Sequence, residues 1–149
     1  MDHIIKEDLH IKYYIRYNDD FILIHEDKEY LKYCFDVINE HIASLGLKLS
    51  SKKTRLYQLK QHIKFLGFTF HLTKTGKVIK KLTKENVAHE KRKLKRMKNL
   101  ADEKVLTKEE VDKCFESWKA HAKQGNTHNL ILSMNRFYEN LWKEGKDDV

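Results

Sequence analysis

The sequence has no proline and only five glycines among its 149 residues, and it contains no low-complexity linker. None of its apolar runs approaches the roughly 20 residues that a membrane-spanning helix requires. The N-terminal residues MDHIIKEDLHIKYY also lack the apolar core and the small-residue cleavage site of a signal peptide. We therefore expect a cytoplasmic protein that has no membrane partner.

Cysteines and metal-binding histidine patterns are equally sparse. The two cysteines, Cys34 and Cys114, are not in a CxxC arrangement, and each falls within an apolar helical pattern. The nine histidines show no HxxxH spacing. The sequence therefore predicts buried free thiols in a reducing compartment and no zinc site.

Acidic residues are outnumbered by basic ones. Thirty Lys and Arg against 22 Asp and Glu give a formal charge of +8. Such a surface favours an acidic partner, most commonly nucleic acid, although a basic surface can also serve solubility alone. The hydrophobic fraction of 40% is low and the charged fraction of 35% is high, which indicates an exposed, elongated or incomplete domain rather than a closed globule.

Residues 12–25 have the pattern of a β-hairpin. Two runs rich in aromatic and β-branched residues, 12–17 and 20–25, flank turn-forming residues. Nearly every strand position is apolar, which is typical of strands covered on both faces. Asp27 then has the position of a helix N-cap, and Gly46 that of the residue ending the helix. The predicted apolar face of this helix contains Leu31, Cys34, Phe35, Ile38, Ile42 and Leu45.

Three further strands are predicted after this helix. Residues 47–59 predict a loop and a short strand, and KVIKKL predicts a returning strand after the turn TKTGK. Between them, HIKFLGFTFHL predicts one strand with Gly67 at its centre, where a neighbour must approach the backbone closely.

The period becomes helical beyond residue 82, where three helices are predicted. The first covers about residues 84–101, the second begins with a capping box at residues 107–110, and the third begins near Asn126 and ends near Lys143. We therefore expect an α+β fold that divides into residues 1–81 and 82–149.

Asn18, Asp19 and Asp20 lie between the strands of the predicted hairpin. Taken alone, this triplet is good turn chemistry, because Asn and Asp side chains satisfy local amides. At the rim of a buried sheet, however, two adjacent carboxylates repel each other unless a cation is present. Mg²⁺ prefers carboxylate and phosphate oxygens, and a pair of such ions can assist phosphoryl transfer. The triplet is therefore either a turn or part of a metal site.

Four motifs, in order along the chain, resemble those of reverse transcriptases. YYIRYNDDFILI resembles the family's Tyr-x-Asp-Asp motif, particularly that of group II introns, retrons and diversity-generating elements in bacteria. LGLKLSSKKT is similar to the next palm motif, IKFLGFTF to the primer-grip strand, and SWKAHAKQGNTHNL to the thumb of intron-like enzymes. The resemblance implies a partial polymerase palm over residues 1–81, followed by a three-helix thumb over residues 82–149.

The resemblance also implies roles for the residues around the carboxylates. Asp19 and Asp20 would be ligands of two catalytic Mg²⁺ ions, with Mn²⁺ as the alternative ion, and Asp20 would be the less strictly required. Lys53 would be the general acid toward the pyrophosphate leaving group. Tyr17 and Asn18 would lie beside the primer end or the incoming nucleotide. The alternatives are a packed strand aromatic for Tyr17 and a solvated loop charge for Lys53.

Two further regions would contact the nucleic acid. Phe65, Leu66 and Gly67 would form the primer grip, or alternatively a core strand. Beyond them, a basic run on the first thumb helix can face outward and bind phosphates without reading sequence. Its charged residues are Lys91, Arg92, Lys93, Lys95, Arg96 and Lys98. The aromatic residues of the last two helices are expected to pack in the core.

The sequence thus predicts part of an RNA-directed DNA polymerase, which extends a DNA primer on an RNA template with dNTPs. In the family, the fingers and a palm strand with a further metal-binding aspartate lie upstream of the Tyr-x-Asp-Asp hairpin. We therefore expect the chain alone to be inactive and to need that N-terminal segment as a partner. Two alternatives are a stand-alone basic nucleic-acid-binding module derived from a polymerase, and an inert half-palm that self-associates through its open sheet edge.

Overall fold

The computed structural model describes residues 1–143. Its contacts divide the described chain into two compact units, with the boundary between Leu56 and Tyr57. Each described unit combines helix with antiparallel sheet, so the expected α+β class is confirmed. The division falls after Leu56 and not at residue 82, because the second sheet shares a core with the helices that follow it. The functional division into palm and thumb between residues 81 and 82 stays a prediction.

The first unit contains the predicted hairpin. Strands β1 (Tyr13–Tyr17) and β2 (Asp20–Ile24) are antiparallel, and a short π-helical segment (Ile4–Asp8) precedes them. Helix α1 (Lys28–Ser44) follows. The unit is built around a small buried cluster, to which the N-terminal segment and α1 both contribute. Its members are Ile5, Leu9, Ile11, Cys34, Ile38 and Ile42.

The two faces of this hairpin differ in burial. Side chains alternate along a strand, so Tyr14 and Leu23 point to one face, where they pack against the buried cluster. On the opposite face, Tyr13, Ile15 and Tyr17 are 54–58% exposed. The expectation that both faces are covered is therefore wrong for the described chain.

Helix α1 begins and ends at the predicted residues. The Asp27 carboxylate accepts hydrogen bonds from the backbone N–H groups of Glu29 and Tyr30, at 2.8 and 3.2 Å. At the other end Gly46 has a φ of +72°, and its N–H donates to the Ala43 carbonyl. Left-handed backbone of this kind favours glycine, which explains why the helix ends there.

The predicted apolar face of α1 is only partly correct. Cys34, Ile38 and Ile42 are buried, whereas Phe35 and Leu45 are 43% and 60% exposed. A spacing of four residues keeps the buried three on one line, and Phe35 and Leu45 lie on its flanks. The sequence pattern therefore predicted a wider buried face on α1 than the first unit covers.

The second unit begins with a hairpin where one strand was predicted. Strands β3 (Ile63–Phe65) and β4 (Phe68–Leu72) are antiparallel and are joined by Leu66 and Gly67, whose φ angles are +50° and +78°. Two successive positive φ angles suit the turn that matches the twist of paired strands. The prediction of a single strand was therefore wrong.

Residues 47–59 form no strand, contrary to the prediction. Turns occupy part of this segment instead, and the Ser50 carbonyl accepts hydrogen bonds from the N–H groups of both Lys53 and Thr54. The returning strand is present as β5 (Val78–Leu82), and it pairs with β4. The described sheet of the second unit therefore has the order β3-β4-β5.

The three predicted helices are confirmed as α2 (Lys84–Asp102), α3 (Lys108–Ala122) and α4 (His128–Lys143). The predicted capping box at the start of α3 is complete, because Thr107 and Glu110 exchange side-chain and backbone hydrogen bonds. One face of the sheet packs on these helices. The shared core contains Phe68, Leu82, Leu94, Val111, Phe115, Trp118, Ala122 and Met134.

The turn between α3 and α4 is fastened to the edge of the sheet. The Asn126 N–H donates to the Lys80 carbonyl at 2.6 Å, and the Lys80 N–H donates to Asn126 Oδ1 at 2.9 Å. A Cβ on Gly125 would lie 2.8 Å from the Lys80 oxygen, so a larger residue does not fit there. These contacts satisfy backbone groups of β5, the edge strand, which the sequence did not indicate.

No helix within residues 1–143 combines the length and the apolar character needed to cross a membrane.

Candidate active site and nucleic-acid interface

The two predicted metal ligands lie at the turn of the first hairpin. Asp19 follows Asn18 in the turn, and Asp20 opens β2 directly opposite Tyr17. Asn18 has a φ of +52°, a backbone conformation that Asn tolerates better than most residues. The backbone conformation of the turn is therefore a sufficient reason for asparagine at position 18, whether or not its side chain contacts a substrate.

Both carboxylates are exposed to solvent. Neither Asp19 nor Asp20 forms an ion pair or a hydrogen bond through its side chain with another residue of 1–143. Carboxylate oxygens are ligands that Mg²⁺ prefers, so the pair fits a divalent cation chemically. Residues 1–143 contain no group of three or more His, Cys, Asp and Glu able to hold a metal. The metal role of the two carboxylates therefore stays a prediction.

Tyr17 and Lys53 are both solvent-accessible, and Tyr17 pairs with Asp20 across the hairpin. The Tyr17 side chain is 58% exposed, and its backbone pairs with Asp20. Lys53 lies in the exposed turn after Ser50 and forms no ion pair with either aspartate. The structure therefore supports Tyr17 as a neighbour of the turn, and the role of Lys53 stays a prediction.

A polar network that the sequence did not reveal holds β1 to the N-terminus. The Tyr14 hydroxyl donates to Asp2 at 2.5 Å, and Arg16 forms an ion pair with the same carboxylate at 3.1 Å. The hydrogen bond from Tyr14, with help from Arg16, lowers the pKa of Asp2. Burial, together with this hydrogen bond, raises the pKa of Tyr14 to about 12. The network fixes the inner side of the strand that leads to the aspartate turn.

The predicted primer grip coincides with the turn between β3 and β4. Phe65 pairs with Phe68 at the base of this turn, and Leu66 at its tip is 43% exposed. A Cβ on Gly67 would have only Asn86 Nδ2 as a near neighbour, at 3.5 Å. Positive φ is therefore a sufficient reason for glycine within the chain itself, and a close approach of the nucleic acid to Gly67 stays a prediction.

The basic run on α2 is divided by its surroundings into two groups. The Lys91 and Lys98 ammonium groups lie over the rings of Phe137 and Trp142 on α4, at 5.1 and 6.0 Å from the ring centres, and Lys98 also pairs with Asp102 at 2.6 Å. These two lysines cover the outside of the helical core with their stems.

The other basic side chains of the run face solvent. Arg92, Lys95 and Arg96 are exposed, and within the described chain none of them forms an ion pair. We call these three residues the basic stripe. Lys93 is also exposed but lies near Cys114, and a hydrogen bond with that thiol raises the pKa of Lys93.

Glu90, the acid within the basic run, is directed into the helical unit. It is 4% exposed, and its Oε1 has no hydrogen-bond partner. Burial raises the pKa of Glu90, and the nearby charges of Lys93 and His89 oppose this effect. The sequence gives no sign of this burial, because a charged residue in a helical pattern is typical of an exposed face.

The charge of the chain is concentrated in the second unit. Residues 57–149 contain 21 Lys and Arg against 12 Asp and Glu, whereas residues 1–56 contain 9 against 10. The aspartate turn therefore belongs to a nearly neutral unit, and the basic stripe to a strongly basic one. This distribution fits a chain in which the second unit provides the affinity for a polyanion.

The aspartate turn lies in a segment that is similar to a known protein family. Residues 1–70 match the family model described as reverse transcriptase (RNA-dependent DNA polymerase), which is 70 of the 149 residues. The matched segment includes the first hairpin, α1, Lys53 and most of the β3–β4 hairpin. No curated protein shows significant similarity to the chain. The first 70 residues are thus similar to a reverse transcriptase domain.

Proposed function

We propose that this chain contributes the aspartate hairpin and the nucleic-acid-binding helices of an RNA-directed DNA polymerase of the group II intron, retron or diversity-generating type. The observation that carries the proposal is the exposed turn of Asp19 and Asp20, which lies within the segment similar to reverse transcriptases. In this reaction a primer 3′ hydroxyl attacks the α-phosphate of a dNTP, and pyrophosphate leaves. The template would be RNA and the primer DNA.

Each group of residues has a separate task in this proposal. Asp19 and Asp20 would hold Mg²⁺, or Mn²⁺ in its place, and the bound ions would supply charge neutralisation at the phosphates. Tyr17 and Asn18 would line the primer end, and Lys53 would donate a proton to the departing pyrophosphate.

The second unit would hold the primer–template. The turn of Phe65, Leu66 and Gly67 would support the primer strand, and the basic stripe would bind its phosphates. Positioning and charge stabilisation supply most of the catalysis in phosphoryl transfer, so this task is as necessary as the metal site.

We propose further that the chain alone does not extend primers, and that it acts together with a segment that supplies the fingers and another carboxylate. The described residues offer two neighbouring carboxylates and no third ligand, whereas a two-metal site requires more. We propose the cytoplasm as its compartment, since a reducing compartment is compatible with the free thiols of Cys34 and Cys114.

Metal binding is tested directly on the isotope-labelled chain. Mn²⁺ broadens NMR signals of nearby nuclei, so we expect selective broadening around residues 18–20 at substoichiometric Mn²⁺. Asp19→Asn should remove it, whereas Asp36→Asn, a change of an exposed aspartate on α1, should leave it intact. Broadening that is unchanged in Asp19→Asn would contradict the metal role.

Primer extension is the second test. The purified chain, given primed RNA template, dNTPs and Mg²⁺, should incorporate no nucleotide. Incorporation that is lost in Asp19→Asn would contradict the proposed inactivity of the chain alone, while it would support the catalytic role of the turn.

A second candidate function is a stand-alone nucleic-acid-binding module, which the concentration of charge in residues 57–149 favours. Such a module needs the basic stripe and is indifferent to Asp19→Ala. The two functions are separated by the Mn²⁺ experiment, because a pure binding module has no reason to hold a divalent ion at its first hairpin.

A further inference from the structure

The Leu66–Gly67 turn is fastened to the beginning of α2. The Gly67 carbonyl accepts a hydrogen bond from the Thr83 N–H at 3.0 Å. Thr83 is the N-cap of α2, and its Oγ1 accepts from the Asn86 N–H at 3.2 Å. The predicted primer-grip turn and the basic helix therefore share one hydrogen-bonded junction.

The Asn86 side chain connects this junction to α3. Trp118 Nε1–H donates to Asn86 Oδ1 at 3.1 Å. An indole nitrogen can only donate, so the atom that faces it must be the amide oxygen, which fixes the orientation of the amide. Nδ2 is then directed toward the turn, 3.5 Å from the place that a Cβ on Gly67 would occupy. One side chain thus lies between the turn and α3.

The β3–β4 hairpin also contacts the side of α2 that carries the basic stripe. Lys64 of β3 forms an ion pair with Glu85 at 2.6 Å. Glu85 precedes Arg92 by seven residues, about two helical turns, so the two side chains leave α2 on the same side. At a rise of about 1.5 Å per residue, the stripe runs from about 9 to 15 Å along the axis beyond Asn86.

We propose that Asn86 is a positioning residue, which holds the Leu66–Gly67 turn in line with the basic stripe so that both bind a single nucleic-acid strand. The inference rests on the proposed function, in which the turn and the stripe both contact the primer–template. A stacked strand advances about 3.4 Å per nucleotide, so about four or five nucleotides reach from the turn to the far end of the stripe. Shorter strands contact one of the two elements.

The length dependence of binding tests this arrangement. Fluorescein-labelled oligothymidylates of about three and about ten nucleotides are titrated with the full chain. The wild type should bind the longer strand at least about tenfold more tightly, since only that strand reaches both elements. Asn86→Ala should reduce this ratio to less than about threefold and leave the affinity for the short strand unchanged.

Three further variants separate positioning from folding. Asn86→Asp keeps the acceptor for Trp118 and should keep the wild-type ratio. Trp118→Phe removes the indole N–H that donates to Asn86. It should reduce the ratio of the two affinities as Asn86→Ala does. Asn99→Ala changes an exposed asparagine on the same helix and should have no effect. Circular dichroism shows which variants are folded.

The outcomes distinguish the two proposals. A folded Asn86→Ala variant with the wild-type ratio would overturn the role of Asn86 and leave nucleic-acid binding intact. Unfolding of both Asn86→Ala and Trp118→Phe would overturn positioning in favour of a purely structural role. Failure of the wild type to bind either strand would overturn the proposed nucleic-acid binding itself.

Discussion

Asn18 shows how a single backbone angle constrains the candidate active site. Its φ of +52° is unfavourable for most side chains, because Cβ approaches the following carbonyl oxygen. Asn and Gly accept this conformation more easily than Ala. The identity of the residue before Asp19 is therefore determined at least partly by the turn.

We expect Asn18→Ala to destabilise the hairpin by about 1 kcal/mol, and Asn18→Gly to change it by a few tenths at most. Hydrogen exchange of the Ile22 amide, which lies in the strand pair, measures the effect. Equal protection in the two variants would contradict the backbone explanation and would favour a side-chain role for Asn18.

Glu90 makes the stability of the second unit depend on pH. Burial raises the pKa of its carboxyl in the folded chain above the unfolded value. The folded state therefore binds the proton more tightly, so the contribution of this group to stability is complete below the unfolded pKa. It is lost as the pH rises through the folded pKa.

We expect Glu90→Gln to raise the free energy of unfolding by about 1 kcal/mol near pH 8 and to change it little near pH 4. Urea denaturation followed by tryptophan fluorescence reports on the second unit, because both tryptophans, Trp118 and Trp142, lie there. Glu139→Gln, at an exposed position of α4, is the control. The same pH dependence in wild type and Glu90→Gln would show that the buried carboxyl does not titrate in this range.

Among the helices, α2 carries basic side chains of two kinds: some pack on α4 and others face solvent. Lys91 and Lys98 lie over aromatic rings of α4, whereas Arg92, Lys95 and Arg96 face solvent. Phosphate binding releases counterions, and for a single strand each neutralised phosphate adds about 0.7 to the slope of log K against log salt. The two groups of residues should therefore differ in their effect on that slope.

We expect the triple variant Arg92→Gln, Lys95→Gln, Arg96→Gln to lower this slope by about 2 for a single-stranded oligonucleotide. The double variant Lys91→Gln, Lys98→Gln should keep the slope and lower the stability of the helical unit. Fluorescence anisotropy over a range of salt concentrations gives both slopes. Equal losses in the two variants would contradict the division of the basic run.

The turn between α3 and α4 is an element whose role becomes visible only in the fold. Asn126 satisfies both backbone groups of Lys80 on the edge strand. Loss of its side chain leaves the Lys80 N–H without this acceptor.

We expect Asn126→Ala to reduce the free energy of unfolding of the second unit by about 1–2 kcal/mol. Asn129→Ala, three residues further and exposed, should change it by less than about 0.5 kcal/mol. Urea denaturation with tryptophan fluorescence compares the two asparagines. Similar losses in both variants would show that the contact with β5 is not the reason.

At the scale of the whole molecule, the first hairpin combines an exposed aromatic face with two strand edges that are open in the described chain. Open edges of this kind pair readily with another chain. We expect self-association through this hairpin, seen as dimers that increase with concentration on a sizing column. Ile15→Lys should abolish it, whereas Val105→Lys, at an exposed valine in the second unit, should not. A monomer at high concentration would contradict this expectation.

Local patterns in the sequence determined the first hairpin, α1 with its caps, and the three final helices. Each depends on neighbouring residues: alternating β-formers around Asn18, an N-cap at Asp27, and a capping box at Thr107. The candidate catalytic turn was predictable for the same reason, because its residues are consecutive.

Tertiary structure decided the features that depend on residues far apart in the chain. The burial of Glu90, the packing of Lys91 over Phe137, and the pairing of Asn126 with Lys80 each require contacts between separate elements. A local pattern assigns charged residues to the surface, because it contains no information about which helix will cover them. Local sequence therefore specifies the elements and the aspartate turn, whereas packing between elements specifies which charges stay exposed to solvent.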